Sequence, residues 1–423
     1  MRPGYKQTEV GPIPDDWEER SIFDLADRRK ELFDDGDWIE AEYLTDGGIR
    51  LVQTGNIGEG RFTDKESKKY ISAESFTKLG CKDLQVGDIL ICRLAEPAGR
   101  ACILPDIGEE RVITSVDVTI FRPPSSTADR RYLVNAFNTR RWFQSVNERC
   151  GGTTRTRIAR GELGKIKVPL PPLPEQHAIA TALSDVDALL GGLDRLIAKK
   201  RDLKQGAMQQ LLTGQTRLPG FHGEWEAKRL GDLAEMASGG TPVSSVPAFY
   251  GGGIPWVSIA DMTRAGRVIE RTEKTLTPLG LANSAAQMFA AGTVLYAMYA
   301  SLGECSIAGM PVSTSQAILG IRPKHEIDNV FLYYVLTSLK TTVKSLGQQG
   351  TQSNLNKGMV QAFRFTLPSR EEQVAIAAVL SDMDAELTAL EARRDKFRDL
   401  KQAMMQELLT GKTRLVHSET VNV

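Results

Sequence analysis

Glu175-Gln176-His177-Ala178-Ile179-Ala180-Thr181-Ala182-Leu183-Ser184-Asp185-Val186-Asp187-Ala188 is written a second time as Glu372-Gln373-Val374-Ala375-Ile376-Ala377-Ala378-Val379-Leu380-Ser381-Asp382-Met383-Asp384-Ala385. The match extends without a gap from Glu175–Leu218 onto Glu372–Leu415, at a constant offset of 197, with 27 identities in 44 positions. Chance does not produce this, so the chain is one unit written twice. The stretches ahead of these blocks correspond loosely. Trp17-Glu18 and Asp24-Leu25-Ala26 match Trp225-Glu226 and Asp232-Leu233-Ala234, and Thr114-Ser115 with Arg122-Pro123 matches Thr314-Ser315 with Arg322-Pro323. A shared block that stays nearly identical implies one job done twice. A diverged block in the same frame implies one kind of job done on two targets.

The shared blocks read as long helices. Ile179, Leu183, Val186, Leu190, Leu193 and Ile197 recur at alternating intervals of four and three, the spacing of a heptad seam. The second copy gives Ile376, Leu380, Met383, Leu387 and Leu390, then Arg394 and Phe397. Pro171, Pro172 and Pro174 precede the first helix, Ser369 and Glu372 have capping-box spacing at the second, and Gly214 and Gly411 sit where left-handed caps end them. Each helix would run for about 38 residues, roughly 57 Å. An apolar stripe must be buried, most simply against the other copy. Leu189, Leu196 and Leu203 flank the first seam at seven-residue intervals, where the second copy has Glu386, Arg393 and Leu400. Two readings of that wider stripe stand side by side: a docking face for another subunit, or packing on the adjoining domain.

Residues 1–170 and 216–367 hold short β-rich runs, such as Asp88–Cys92, Val116–Phe121, Val294–Tyr299 and Ala317–Ile321, among helical stretches Arg131–Asn147 and Val330–Leu346. The expected fold is α+β: two globular domains (1–170 and 216–367) separated by two long antiparallel, coiled-coil-like helices (171–215 and 368–415), with a tail at 416–423 and a pseudo-two-fold repeat.

Lys plus Arg equals Asp plus Glu at 53 each, so the whole chain has no basic excess. Its hydrophobic (41%) and charged (25%) fractions are those of an ordinary globular protein. No apolar run reaches the ~20 residues of a membrane helix, and Met1–Gly11 lacks a signal-peptide core. A cytoplasmic location without membrane contact is the expectation. Five scattered cysteines without a close pair read as free thiols rather than a zinc site.

A search for catalysis finds none. There is no glycine-rich cofactor loop and no Asn/Asp-Pro-Pro-aromatic motif of an adenine methylase. Gly161–Lys165 is too short for a phosphate loop, and the carboxylates around Asp106, Glu109 and Glu110 are too tightly spaced for a nuclease. His177 is replaced by Val374 in the second copy, so a catalytic role is not required of it. No catalytic residue, cofactor or metal is expected.

Nucleic-acid chemistry is concentrated locally. Residues 140–167 carry eight basic side chains against Glu148 and Glu162, and include the loop Gly151-Gly152-Thr153-Thr154-Arg155-Thr156-Arg157. Thr153, Thr154, Arg155, Arg157 and Arg160 suit phosphates, and arginine suits guanine edges. The counterpart in the second half offers Gln352, Asn354, Asn356 and Lys357, amides suited to adenine edges. A solvated basic loop and an inert polar loop are the alternatives.

The whole chain resembles the specificity subunit of type I restriction–modification systems. The resemblance rests on Tyr5-Lys6-Gln7-Thr8-Glu9-Val10-Gly11 with Ile13-Pro14 and Trp17-Glu18, on Leu170-Pro171-Pro172-Leu173-Pro174-Glu175-Gln176, on Leu211-Leu212-Thr213-Gly214 with Thr216-Arg217-Leu218, and on Gly239-Gly240-Thr241-Pro242 with Ile254-Pro255-Trp256-Val257. Pro368-Ser369-Arg370-Glu371-Glu372 departs from the proline-rich entry usual in the family. The resemblance implies two target recognition domains held apart by the conserved helices, each reading half of a bipartite double-stranded DNA site. It implies docking of two DNA adenine methyltransferase subunits, which carry S-adenosylmethionine, and of motor-nuclease restriction subunits. The chain itself would be non-catalytic. A duplicated interaction scaffold without DNA recognition is the alternative.

Overall fold

The computed structural model describes residues 3–94, 97–152, 156–349 and 354–416. The chain forms two compact units, Met1–Leu193 with Arg393–Val423, and Asp194–Ala392. The first long helix is Leu173–Leu212 and the second Arg370–Leu408. Each unit thus owns the first part of one helix and the last part of the other, because the helices pair antiparallel within each unit. In the first unit Lys401 Nζ lies 2.6 Å from Asp187. In the second, Lys200 reaches Glu386 at 2.7 Å and Lys204 pairs with Asp384. The sequence boundaries at 171 and 216 treat each helix as its own segment; the compact units divide both helices near their middles.

The heptad seam is buried as its spacing predicts. Ile179, Leu183, Leu193 and Ile197 are buried, with Val186 and Leu190 half-buried; Ile376, Leu380 and Leu387 are buried, with Met383 and Leu390 half-buried. Gly214 and Gly411 adopt φ of 72° and 69°, the left-handed caps expected after each helix. At the second helix start, Ser369 Oγ accepts from the Glu372 N–H at 3.3 Å, which is half of a capping box. The other half does not form, because the Glu372 carboxylate is held elsewhere.

That carboxylate belongs to a polar lock present once in each unit. In the first, Glu175 accepts from Trp17 Nε1 at 2.9 Å and from Arg414 at 2.7 Å, and Arg414 also holds Asp16. In the second, Glu372 accepts from Trp225 Nε1 at 3.3 Å and from Arg217 at 2.6 and 2.7 Å. Both glutamates are buried, and their hydrogen bonds raise the pKa of Arg414 and Arg217. The arginine following each helix therefore closes on the glutamate that opens the other one. The neighbouring Gln176 accepts from the Asp129 N–H and donates to Pro171 O; Gln373 accepts from the Asp328 N–H and donates to Pro368 O. Asp129 and Asp328 in turn N-cap the helices Arg130–Ala136 and Asn329–Ser338. Each Glu-Gln pair ties its long helix to the globular part of its unit.

Two larger sheets, beside two-stranded ones, build the globular part of each unit. In the first, strands Phe33–Asp35, Val118–Phe121, Ile89–Cys92 and Ala101–Ile103 are adjacent in that order, and Val112–Thr114, Ile49–Val52, Lys69–Ile71 and Leu44–Thr45 form the other. In the second, Ala234–Ser238, Ile318–Pro323, Val294–Ala297, Cys305–Ala308 and Val268–Ile269 form one sheet, and Lys274–Leu276, Tyr250–Val257, Val312–Thr314 and Met288–Phe289 the other. The same parallel pairing recurs, Val52 beside Thr114 and Val257 beside Thr314. The helical stretch expected over Arg131–Asn147 is two helices, because Asn138 turns back to bond Val134 O and Ala101 O and Thr139 N-caps the next helix.

Candidate nucleic-acid interface

The two candidate loops occupy the same place in the repeat. In the first unit the Ile158 N–H donates to Arg93 O at 3.1 Å, and in the second the Leu355 N–H donates to Met298 O at 3.0 Å. The Arg93 N–H donates to Asp117 O, and the Met298 N–H to Ala317 O. The pairing equates Arg157 with Asn354 and Arg160 with Lys357, at the offset of 197 found in the shared blocks. Thr153, Thr154, Arg155 and Gln352 lie outside the described residues.

Beneath the first loop is a charged floor. Arg93 is buried and pairs with Asp35 at 3.0 Å, while its guanidinium donates to Ile158 O and Val116 O. Burial pulls the pKa of Arg93 down and Asp35 opposes it. Arg157 pairs with Asp117 at 3.1 Å, and Arg160 pairs with Asp34. Asp34 sits below the ordinary carboxylate range: burial pushes it up, but the Asp35 N–H, Lys82 and Arg160 outweigh burial. Asp37, also bound by Lys82, is pushed up by its own burial. Arg157 and Arg160 are thus anchored to carboxylates of their own unit, which fixes where the loop leaves the sheet. Sequence reading picked out the arginines and missed Asp34, Asp35 and Asp117.

The floor of the second loop is neutral. Strand pairing equates Asp35 with Ser238 and Asp34 with Ala237, since Thr119 faces Asp35 and Leu319 faces Ser238. Met298 and Ala317 replace Arg93 and Asp117. Asn354 is exposed, Asn356 spends its Oδ1 capping the helix Lys357–Gln361 at Met359 N–H, and Lys357 is exposed on that helix's first position. The structure therefore brings Arg157 and Arg160 together over one floor, and Asn354, Asn356 and Lys357 together over the equivalent one.

Other cations of the basic stretch are surface groups. Arg140, Arg141 and Arg149 are exposed along or just after the helix Arg140–Asn147; Arg141 bonds Glu9 O and Arg149 bonds Ser145 O. Lys167 pairs with Glu9 and Glu19. Leu189, Leu196 and Leu203 are 38%, 39% and 51% exposed. Among the described residues no group of His, Cys, Asp and Glu has the arrangement of a metal site, and no helix is long and apolar enough to cross a membrane.

Comparison with known proteins agrees with this layout. Residues 14–198 and 222–396 each match the model of the type I restriction modification DNA specificity domain. A relative from Methanocaldococcus jannaschii, provisionally named the type I restriction enzyme MjaX specificity subunit, is 25% identical over 97% of each chain. The MjaVIII specificity subunit of the same organism is 24% identical over 97% of this chain and 96% of its own. The solved S subunit of a type I restriction–modification system from M. genitalium superposes with a TM-score of 0.57 at 17% identity, over 96% of this chain and 99% of that one, which is a likeness of fold. With a matching domain in each half, the chain belongs to the type I restriction modification DNA specificity family.

Proposed function

We propose that this chain is the non-catalytic subunit that selects a bipartite double-stranded DNA site, one half per unit, for adenine methyltransferase and restriction subunits that dock on it. One observation carries the reading: the same loop, hung from the same backbone hydrogen bond, presents arginine and threonine chemistry in one unit and amide chemistry in the other. Arginine pairs bidentately with guanine and Asn or Gln with adenine, so two half-sites of different sequence need this kind of difference. Thr153, Thr154 and Arg155 with Arg157 and Arg160 serve the first half, and Gln352, Asn354, Asn356 and Lys357 the second. The two long helices carry the partners, with Leu189, Leu196 and Leu203 as an apolar docking stripe left open by this chain.

The test is a block exchange. Replacing residues 1–170 with the corresponding block of another family member, in cells supplying the methyltransferase partner, should change one half of the methylated motif and leave the other as it was. A swap that altered both halves would overturn the assignment, as would methyl transfer by this chain purified free of partners.

A further inference from the structure

The first unit has a second polar cleft that the loops above do not account for. It encloses about 550 Å³, and its walls include Trp38, Arg50, Gln53, Thr54, Lys65 and Lys69. Trp38 is 67% exposed, the largest exposure among the large apolar side chains of the described residues, although its indole N–H reaches Glu40 at 3.2 Å. The backbone that presents it is pinned. A Cβ on Gly36 would lie 2.4 Å from the carbonyl oxygens of Thr114 and Ser115, and the Asp37 carboxylate accepts from the Lys82 N–H at 2.8 Å. An indole held out in water from a rigid loop presents a large apolar face to any molecule that enters the cleft.

The rest of the cleft indicates which molecule. Arg50 is buried, holds Asp64 at 3.0 Å and lies over the Tyr70 ring, yet its Nε–H has no acceptor. A buried donor left without an acceptor costs about 1–3 kcal/mol, and Arg50 places one such donor in the wall of the cleft. Lys65 and Lys69 are exposed, and the Lys65 ammonium crosses so close to Gly55 that a Cβ at that position would meet it at 2.2 Å. The two carboxylates in the walls, Asp37 and Asp117, already have cations of their own in Lys82 and Arg157. Gln53 and Thr54 add an amide and a hydroxyl on a turn fixed by the Gln53 N–H to Asn56 Oδ1 bond. Exposed cations, an amide and an apolar ring around one cleft are the parts used to hold phosphates, read a base edge and pack against a sugar or a thymine methyl.

We infer that this cleft is a second DNA-reading surface of the first unit, with Lys65 and Lys69 on backbone phosphates, Gln53 at a base edge, and Trp38 packed against the nucleotide. This rests on the DNA-reading function proposed above. The second unit keeps one of these cations, Lys274 at the position of Lys69, and lacks the indole and the amide. The bonds from Ser115 N–H to Val52 O and from Ser315 N–H to Val257 O make Ser258 stand for Gln53 and Ala260 for Gly55, and the strand pairing that equates Asp35 with Ser238 makes Thr241 stand for Trp38. The cleft should therefore affect only one half of the site.

The experiment selects sequences from a random duplex DNA pool with the purified full-length chain, then measures affinity for the winning duplex across a salt series. If the wild type enriches no sequence, the DNA-reading function itself fails, which is distinct from failure of the cleft. Given a bipartite winner, Trp38→Ala should bind it roughly tenfold more weakly and lose preference in one half only, the size of one lost contact to a base edge or methyl group. Lys65→Ala with Lys69→Ala should lower the slope of log affinity against log salt by about 1.8, at ~0.9 per phosphate. Trp38→Phe should keep most of the affinity. An unchanged motif and affinity in Trp38→Ala, together with an unchanged slope in the lysine double variant, would overturn the inference. So would loss of methyltransferase binding with DNA binding intact, which would make the cleft a protein contact.

Discussion

Ile158 and Leu355 hang from the same backbone hydrogen bond, yet the first lies among the charged Arg93, Asp34, Asp35 and Asp117, and the equivalent positions in the other unit are Met298, Ala237, Ser238 and Ala317. The Trp-Glu-Arg lock, by contrast, is the same in both units. The difference teaches where the repeat tolerates change. A buried carboxylate with an indole and a guanidinium on it cannot lose one partner without stranding a charge. A loop floor can be rebuilt whole, from ionic to apolar, if its members change together.

The largest effect should come from breaking what the units share. Glu175→Ala leaves the Trp17 indole N–H unpaired and Arg414 with Asp16 alone; Glu372→Ala leaves the Trp225 indole N–H unpaired and Arg217 with only Gly223 O. Removing one partner of a buried pair costs about 3–5 kcal/mol. Urea unfolding of the two variants should show similar losses of that size. A large loss in one and none in the other would show that the locks are alike only in appearance.

The next effect separates the floors. Arg93→Met alone leaves Asp35 with the Thr119 hydroxyl and the more distant Arg160 and takes the Arg93 donors from Ile158 O and Val116 O, a loss of about 3 kcal/mol. Converting three of the four floor residues together, with Arg93→Met, Asp35→Ser and Asp117→Ala, copies the second unit at those positions, leaves the Asp34–Arg160 pair in place and should fall within about 1 kcal/mol of the native chain, because an apolar replacement of a buried ionic group is often neutral. If the triple variant is as unstable as the single one, the ionic floor is needed for the fold of the first unit and is not interchangeable.

A smaller contrast concerns the loop residues. Arg157→Ala removes a pair that is 41% exposed on the arginine side, so its effect on stability should be about 1 kcal/mol or less. Asn354→Ala touches an exposed side chain and should leave stability alone while weakening DNA binding in the second half by roughly 1–3 kcal/mol. Equal DNA effects with no stability change in either would remove the anchoring role given to Arg157.

How far the sequence carried this picture differs by element. The long helices were legible because a heptad seam and left-handed glycine caps are local patterns that survive without tertiary information. So was the repeat, and with it the equivalence of the two loops. The fate of Arg157 and Arg160 was not legible. A run of arginines reads as a free basic face until its partners are known, and Asp34 lies 126 positions upstream of Arg160. The Glu-Gln pairs were visible as identities, but their role was not, because the lock is closed by Arg414 and Arg217 from the far ends of the helices. The break at Asn138 escaped because its cause, a bond to Ala101 O, comes from another strand.

The weakest contrast is in acid. Asp34 lies below its ordinary range in the folded chain, so its contribution to stability is present above the unfolded value of ~3.9 and is lost as pH falls through the lower folded value. Asp37 is raised, so protonating it favours the folded state as pH falls through its folded value. The two share Lys82 and work in opposite directions, which leaves a small net dependence with the Asp34 loss coming last, at the lowest pH. The second unit has Ala237 and Gly240 at these positions and cannot titrate there. Amide hydrogen exchange at Ile158 and Leu355 across pH 3–6, corrected for intrinsic rates, reads the two floors in one sample. Ile158 should lose protection toward pH 3 relative to Leu355, and Asp34→Asn should abolish that relative loss by removing the group that titrates. If the native protein shows the same pH profile at both amides, the ionic floor does not hold the first loop, and the contrast between the units reduces to the side chains the loops present.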